Sequence, residues 1–285
     1  KDHQQWMLTQ AGNKATMASL NQDIIRRIPV TAPPPDTQER VVDVLSAYDD
    51  LIENNRRRMA LLEESARLLY REWFVRLHFP GHERTPVIDG IPEGWESHLL
   101  DDLCSIGRGA SPRPIADFMG GETPWFKIGD ATASESFFIF ETAEHVSDEG
   151  AKRSVILEPG SLILSNSATC GIPYFTAVRG CVHDGWLHFS QFERISEQFL
   201  YCYLFLKREE LVSSVSDGST QKNLNTSAVG RLRLVLPKQD ALIVQFQDAI
   251  GPVFEMVLNL ARQNNSLRAA RDLLLPRLMS GEIAV

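Results

Sequence analysis

Few residues in this sequence stand at spacings that would support catalysis. His183-Asp184 places a base beside an acid, but no serine or cysteine nucleophile is positioned to use them, so the pair is interpreted as a turn. Glu149 and Lys152 have the wrong spacing for the acidic-x-Lys element of a nuclease. The Gly-Lys-Ser/Thr phosphate loop of a helicase or translocase is absent from the sequence. These observations predict a protein that is not an enzyme.

The cysteines indicate neither a metal site nor a disulfide framework. None belongs to a Cys-x-x-Cys pair, and none has a histidine at zinc-site spacing. Unpaired thiols in a chain of 285 residues are typical of a reducing compartment, so we expect a cytoplasmic protein without a bound metal. The four are Cys104, Cys170, Cys181 and Cys202.

The composition permits a buried core but argues against a simple nucleic-acid binder. At 43% hydrophobic residues, the chain has enough apolar side chains for one or two domains. We find no apolar run of the roughly 18–20 residues that span a bilayer and no signal-peptide pattern, so no membrane association is expected. The formal net charge of −8 opposes binding to phosphates, which normally requires a basic face.

A long amphipathic helix is predicted over 36–79. It follows three consecutive prolines, which cannot be helical, and Pro80-Gly81 ends it. Its apolar seam advances by three and four residues over four heptads, the pattern of a coiled coil. At about 1.5 Å per residue, the helix from Asp36 to Val75 would be about 60 Å long. The seam comprises Leu45, Tyr48, Ile52, Asn55, Met59, Leu62, Ala66, Leu69 and Trp73.

A second heptad pattern follows Pro237 and gives a helix within 237–285, which we expect to end at Pro276. Because a long helix with an apolar seam needs a partner in water, the two helices are predicted to pack antiparallel. With their midpoints opposed, Asn55 faces Asn264, and a buried amide pair would fix the register. From the seam alone, a plain spacer or dimerisation element remains an open alternative. The second seam comprises Phe246, Ile250, Val253, Val257, Leu260, Asn264, Leu267, Arg271 and Leu274.

Between the helices, 80–236 is predicted to be a loop-rich mixed α/β domain. Short β-branched or apolar runs alternate there with Gly, Pro, Ser and Asn clusters, and 196–215 has a helical pattern. The predicted fold class is therefore α+β, with this domain flanked by two long helices packed as an antiparallel coiled coil. The strand candidates are 125–128, 137–140, 161–164 and 231–236.

An internal repeat relates the segments before the two helices. Gly12, Leu20-Asn21, Arg27 and Pro33 correspond to Gly218, Leu224-Asn225, Arg231 and Pro237 at an offset of about 204 residues, which is the size of a domain. The alternative to duplication is that Gly, Leu-Asn and Pro are common at such positions and match without a shared origin. If the repeat is a duplication, 1–35 corresponds to the tail of an upstream domain whose body is mostly missing from this sequence.

The order of these parts and several local strings resemble the specificity subunits of type I restriction–modification systems. None of the strings is specific alone, but together they span residues 12–283 in the family's order. They are IPEGW at 91–95, IGRGASP at 106–112, GETPWFKIGD at 121–130, LEPGSLILS at 157–165, TCG at 169–171, and RDLLLPRLMSGEI at 271–283, together with Gly218-Ser219 and Leu224-Asn225.

The resemblance implies a DNA-recognition subunit that works with other chains. The expected partners are double-stranded DNA, two methyltransferase subunits bringing S-adenosylmethionine, and restriction subunits that use ATP and Mg²⁺. No cofactor is expected in this chain, which lacks the Asn/Asp-Pro-Pro-aromatic motif of an adenine methyltransferase. The family's usual chain has two recognition domains, so this one is interpreted either as a shortened form or as a natural half-subunit that forms a homodimer.

The resemblance also directs attention to polar side chains on predicted loops. Arg, Lys, Asn, Gln, Ser and Thr can hydrogen bond to base edges in the major groove, and Lys or Arg can contact phosphates. For any single residue, a solvated loop position is the alternative to a DNA contact. The candidates are Arg108, Arg113, Lys127, Ser165, Asn166, Thr169, Arg179, Ser219, Thr220, Gln221 and Lys222. A coiled-coil scaffold or adaptor whose middle domain binds protein remains the alternative function.

Overall fold

The computed structural model describes residues 6, 7, 9, 22–28, 32–167, 169–214 and 224–285. The described residues fall into two compact units, one drawn from 1–51 and 267–285 and the other from 52–266. The predicted domain boundaries stay predictions.

Two long helices carry the heptad seams. Helix α2 covers Pro35–Tyr70, after the short α1 at Gln22–Arg26, and a π-helical turn continues it over Arg71–Val75. The predicted end at residue 79 is wrong, because Leu77 has a φ of 61°, which a right-handed helix cannot accommodate. Helix α7 covers Ala241–Ser280. It therefore passes the expected end at Pro276, which is exposed, and its next turn buries Leu278.

In the unit of residues 52–266, the two helices pack antiparallel as predicted. Asn55 meets Asn264 at one end of the contact, while the ring of Tyr70 packs on that of Phe246 at the other, with centroids 5.8 Å apart. About half of the seam residues are buried and the others are partly buried, which supports the heptad assignment. The buried ones are Ile52, Asn55, Met59, Ala66, Phe246, Ile250, Val257, Leu260 and Asn264. In the other unit, Arg271 forms an ion pair with Asp49.

The strands of the mixed domain form small sheets. The strands are β1 Val87–Ile88, β2 Ile91–Pro92, β3 Trp95–Leu99, β4 Ser105–Arg108, β5 Met119–Phe126, β6 Phe138–Ile139, β7 His145–Val146, β8 Val155–Leu157, β9 Leu162–Ser165, β10 Pro173–Thr176, β11 Gly180–Val182, β12 Trp186–Ser190 and β13 Arg233–Pro237. One sheet has the order β4-β12-β9-β10-β6, in which β10 and β6 are parallel and the other pairs are antiparallel. A second sheet has the order β7-β5-β11-β8, and β13 pairs with β3.

Four shorter helices complete the domain: α3 Ile128–Ala133, α4 Asp148–Ala151, α5 Glu197–Ser214 and α6 Thr226–Gly230. The mixed α/β architecture and the helix within 196–215 are confirmed. The predicted strand at 125–128 is wrong at its end, because Asp130 accepts the Lys127 main-chain N–H and starts α3 instead. The 204-residue offset of the sequence repeat maps α1 onto α6, which supports a structural repeat.

One apolar cluster joins the sheet to the helix pair within residues 52–266. It contains Leu164 and Phe175 from the five-stranded sheet, Phe199 from α5, Met59 from α2 and Phe254 from α7. By length and composition α7 could cross a membrane, although several of its apolar side chains lie in this cluster, as in a core helix. The cluster fixes the sheets, and hence the loops at their ends, to the helix pair.

Candidate nucleic-acid interface

A tight turn at 183–185 organises the candidate interface. It links β11 to β12 and is closed by the His183 main-chain oxygen, which accepts from the Trp186 N–H at 3.1 Å. The loop after β4 lies directly on this turn, since a Cβ on Gly109 would lie 2.2 Å from that same oxygen. Glycine is therefore required at 109 for the close approach.

Asp184, at the centre of the turn, contacts side chains from two separate segments, the end of β4 with its following loop and the loop after β9. Its main-chain oxygen accepts from Arg108 Nε at 2.8 Å and from Asn166 Nδ2 at 3.0 Å. Its carboxylate accepts from Ser111 Oγ at 3.0 Å and lies 3.4 Å from Arg113 Nη2. Two of the predicted DNA-contacting arginines are thus brought to one place, and both are exposed.

A third predicted cation lies on the same side of the domain. Lys127 Nζ stands 4.8 Å from the ring of Trp125, and this ring packs edge-on against that of His183 with centroids 5.4 Å apart. Lys127 also forms an ion pair with Glu144. Arg108, Arg113 and Lys127 are referred to below as the cationic cluster.

The charge state of His183 reflects its place beside this cluster. Burial lowers the pKa of the imidazole most, the three cations lower it further, and only Asp184 opposes them. The hydrogen bonds fit the neutral ring: Nδ1 accepts from the Gly185 N–H at 2.8 Å, and Nε2 lies 3.0 Å from the Asp184 carboxylate, to which it can donate. His183 is thus a neutral neighbour of the cluster, not a fourth cation.

The predicted loop at 165–169 is largely a structural element. Ser165 and Asn166 were expected to be exposed, and this expectation is wrong, since their exposed fractions are 0% and 1%. Ser165 Oγ donates to the Thr169 main-chain oxygen at 2.6 Å and accepts from the Ile172 N–H at 2.9 Å, so its bonding capacity is used within the loop. Thr169 is exposed as predicted.

The remaining candidates do not join the cluster in the described structure. Arg179 precedes β11 while His183 follows it, so the two lie at opposite ends of that strand, and Arg179 pairs with Glu158. Ser219, Thr220, Gln221 and Lys222 lie outside the described residues. Leu224 is the next described residue, and its N–H donates to the Asn166 main-chain oxygen at 2.9 Å.

Sequence reasoning missed several residues of the interface. Ser111, Trp125 and Asp184 are not among the predicted DNA contacts, although the prediction of a turn at His183-Asp184 is confirmed. Gly185 follows Asp184 in the sequence. The identity of that dipeptide was the available signal, because Asp-Gly favours a tight turn at the end of a strand. Among the residues that the structure describes, no group of three His, Cys, Asp or Glu side chains could hold a metal ion.

The helix pair contains the second predicted contact, between buried amides. Asn55 Nδ2 donates to Asn264 Oδ1 at 3.0 Å, and Asn264 Nδ2 donates to the Ile52 main-chain oxygen at 3.2 Å. The exposed fractions of the two asparagines are 7% and 1%. The contact confirms the register derived from the seams.

Comparisons with known proteins agree with this architecture. The family described as type I restriction modification DNA specificity domain matches residues 3–64 and 92–262. The chain is 28% identical over 283 residues to the type I restriction enzyme MjaIX specificity subunit of Methanocaldococcus jannaschii, covering 95% of this chain and 64% of that one. It is 24% identical to the HindI specificity subunit of Haemophilus influenzae, covering 94% of this chain and 72% of the relative.

A solved structure has a similar fold. The type I restriction–modification S subunit from M. genitalium superposes with a TM-score of 0.61 at 14% identity, covering 98% of this chain and 70% of that chain. The present chain thus spans about two thirds of the length of these relatives. Since the family match covers most of the sequence, the chain belongs to the type I restriction modification DNA specificity domain family.

Proposed function

We propose that this chain supplies sequence-specific DNA recognition to a type I restriction–modification complex. The observation that carries the proposal is the cationic cluster, in which Arg108 and Arg113 stand exposed around one tight turn, with Lys127 beside it. Arginine and lysine on an exposed, rigidly held loop are the side chains that read guanine in the major groove or contact phosphates. Membership in the specificity family favours this function over a protein-binding scaffold.

The proposal places catalysis and most phosphate neutralisation on partner chains. Methyltransferase subunits would bring S-adenosylmethionine, and restriction subunits would bring ATP and Mg²⁺. With a net charge of −8, this chain gains little general attraction to DNA, so basic partners that hold the duplex would supply it. Such a complex would act in the cytoplasm, where two methyltransferase subunits and a second recognition lobe complete it.

The helix pair is proposed to act as a spacer for the recognition lobe. The core that joins α2, α7 and the sheets makes the lobe a rigid extension of the helices within residues 52–266. The Asn55–Asn264 pair supports one register, since a slip would leave an amide against apolar side chains. The lobe would therefore be held at a constant distance along the duplex.

The test is a selection from random duplexes, using the full chain co-purified with the methyltransferase subunits of its own system. A defined bipartite or symmetric footprint is expected for the wild type. The triple variant R108A/R113A/K127A should lose the sequence preference while still assembling with its partners. The matched control is R84A, which removes an exposed cation that is not among the predicted DNA contacts. Stable complexes without any DNA preference would refute the proposal and favour the scaffold.

A further inference from the structure

We propose that Arg108 reads a guanine of the target and that the main-chain oxygen of Asp184 holds its guanidinium in the reading position. The inference rests on the proposed DNA-recognition function and goes further, because it assigns one base to one side chain. It follows from the different ways in which the predicted cations are held.

Arg108 is the cation whose hydrogen-bonding end stays available. Its Nε donates to the Asp184 main-chain oxygen at 2.8 Å, a contact that fixes the stem of the guanidinium. In the described part of the chain it forms no ion pair with a carboxylate, and the residue is exposed. The two terminal amino groups therefore point away from the fixed Nε as a planar fork. Such a fork matches the O6 and N7 acceptors of guanine in the major groove.

The other cations are held by carboxylates instead. Arg113 lies 3.4 Å from an Asp184 oxygen with 75% of its side chain exposed, and Lys127 pairs with Glu144. Neither contact fixes a planar donor pair, because the first is long and exposed and an ammonium group acts as a point charge. These two residues suit phosphate contacts, whereas directional base reading requires the geometry of Arg108.

The acceptor that holds Arg108 is itself rigid. Asn166, 99% buried, donates its side-chain amide to the same Asp184 oxygen at 3.0 Å, so one carbonyl joins the reading arginine to the buried loop. The Gly109 backbone lies against the other side of the turn. A guanidinium fixed at its stem loses little conformational entropy when it binds a base, which favours discrimination between bases.

The experiment determines the target of the wild-type complex by duplex selection and then measures binding to single-base variants and to duplexes with 7-deazaguanine at each guanine. 7-Deazaguanine replaces the N7 acceptor by a carbon and leaves Watson–Crick pairing intact. We expect one guanine at which this change weakens wild-type binding about tenfold or more, the range of a good bidentate contact. With R108K, that loss should largely disappear at the same position and persist elsewhere.

The variant R84K, at an exposed arginine that is not among the predicted DNA contacts, is the matched control and should keep the full wild-type pattern of losses. Far-UV circular dichroism of R108K checks that the exposed substitution leaves the fold intact. A target without guanine, or an R108K complex with the same 7-deazaguanine profile, would overturn the inference while leaving DNA recognition in place. An R108K complex weakened equally on all duplexes would also overturn it, since that result identifies a phosphate contact. Failure of the wild type to select any sequence would instead contradict the proposed function.

Discussion

Replacing the buried amide pair of the helices tests whether that pair specifies register. In the Asn55→Leu variant, Asn264 Oδ1 loses its donor inside a site where Asn264 is 1% exposed. An unsatisfied buried polar group costs about 1–3 kcal/mol, so we expect this single change to lower the free energy of unfolding by that amount. Asn264→Leu should cost at least as much, because it leaves Asn55 Nδ2 unpaired and removes a donor to the Ile52 oxygen.

The double variant N55L/N264L removes both amides together and fills the seam with apolar side chains. Since no polar atom of the pair is then left unpaired, its stability should lie near that of the wild type or above it. The two single costs therefore do not add. Because the double variant is expected to cost about nothing, the coupling between positions 55 and 264 should equal the sum of the two single costs, about 2–6 kcal/mol.

Guanidinium unfolding of the full chain, followed by circular dichroism at 222 nm for the four proteins, measures this coupling. Equal m-values across the four would confirm that the variants differ in stability and not in the surface exposed on unfolding. Additive effects, with the double variant as unstable as the sum of the single ones, would show that the amides contribute independently. That result would refute register control by the pair.

Three further predictions concern the turn, the histidines and the helix surface. Gly109→Ala should lower the free energy of unfolding by more than about 1 kcal/mol and weaken the sequence preference in duplex selection, because the new Cβ would meet the His183 main-chain oxygen. Gly129→Ala is the control, since a Cβ added there has no neighbouring atom within 4 Å. Burial lowers the pKa of His183 and His188, so as the pH falls the unfolded chain binds protons before the folded chain does. In urea unfolding, the free energy of unfolding should therefore be unchanged above about pH 6.5 and decrease below it. The decrease should be smaller in H188Q. Arg271→Ala should change the free energy of unfolding by less than about 1 kcal/mol in the same assay, because its ion pairs are exposed; a larger loss would contradict this estimate.

The helix pair could be predicted from the sequence because its signal is periodic and local. A seam that advances by three and four residues marks the buried face of each helix, and the two asparagines then fix the alignment. The ends were less predictable. At Leu77 the chain leaves the first helix through a positive φ, and leucine is not a residue type that predicts this conformation. In the second helix, the burial of Leu278 outweighs the one backbone hydrogen bond that Pro276 cannot form.

The interface could be predicted only in part, because its residues meet through strand pairing. Arg108 reaches Asp184 because β4 pairs with β12, which brings together residues 76 positions apart. A sequence pattern marks both segments as loops but does not show that they touch. The same reason explains why Ser165 and Asn166 are buried although the sequence favours exposure. Polar residues at the end of a strand are usually solvated, and here only the surrounding backbone, which is distant in sequence, buries them.

Under the proposed function, the net negative charge of this chain agrees with the way its cations are held. Within the cationic cluster, Arg113 and Lys127 each face a carboxylate, and His183 stays neutral, so the local positive charge is small. Weak attraction to phosphate lowers the affinity for every sequence alike and leaves the discrimination between bases unchanged. Discrimination depends on donors fixed in direction, and the fork of Arg108 on the Asp184 carbonyl provides such donors. Under the proposed function, specificity in this chain therefore follows from geometry at one turn, while partner chains that hold the duplex supply the general affinity.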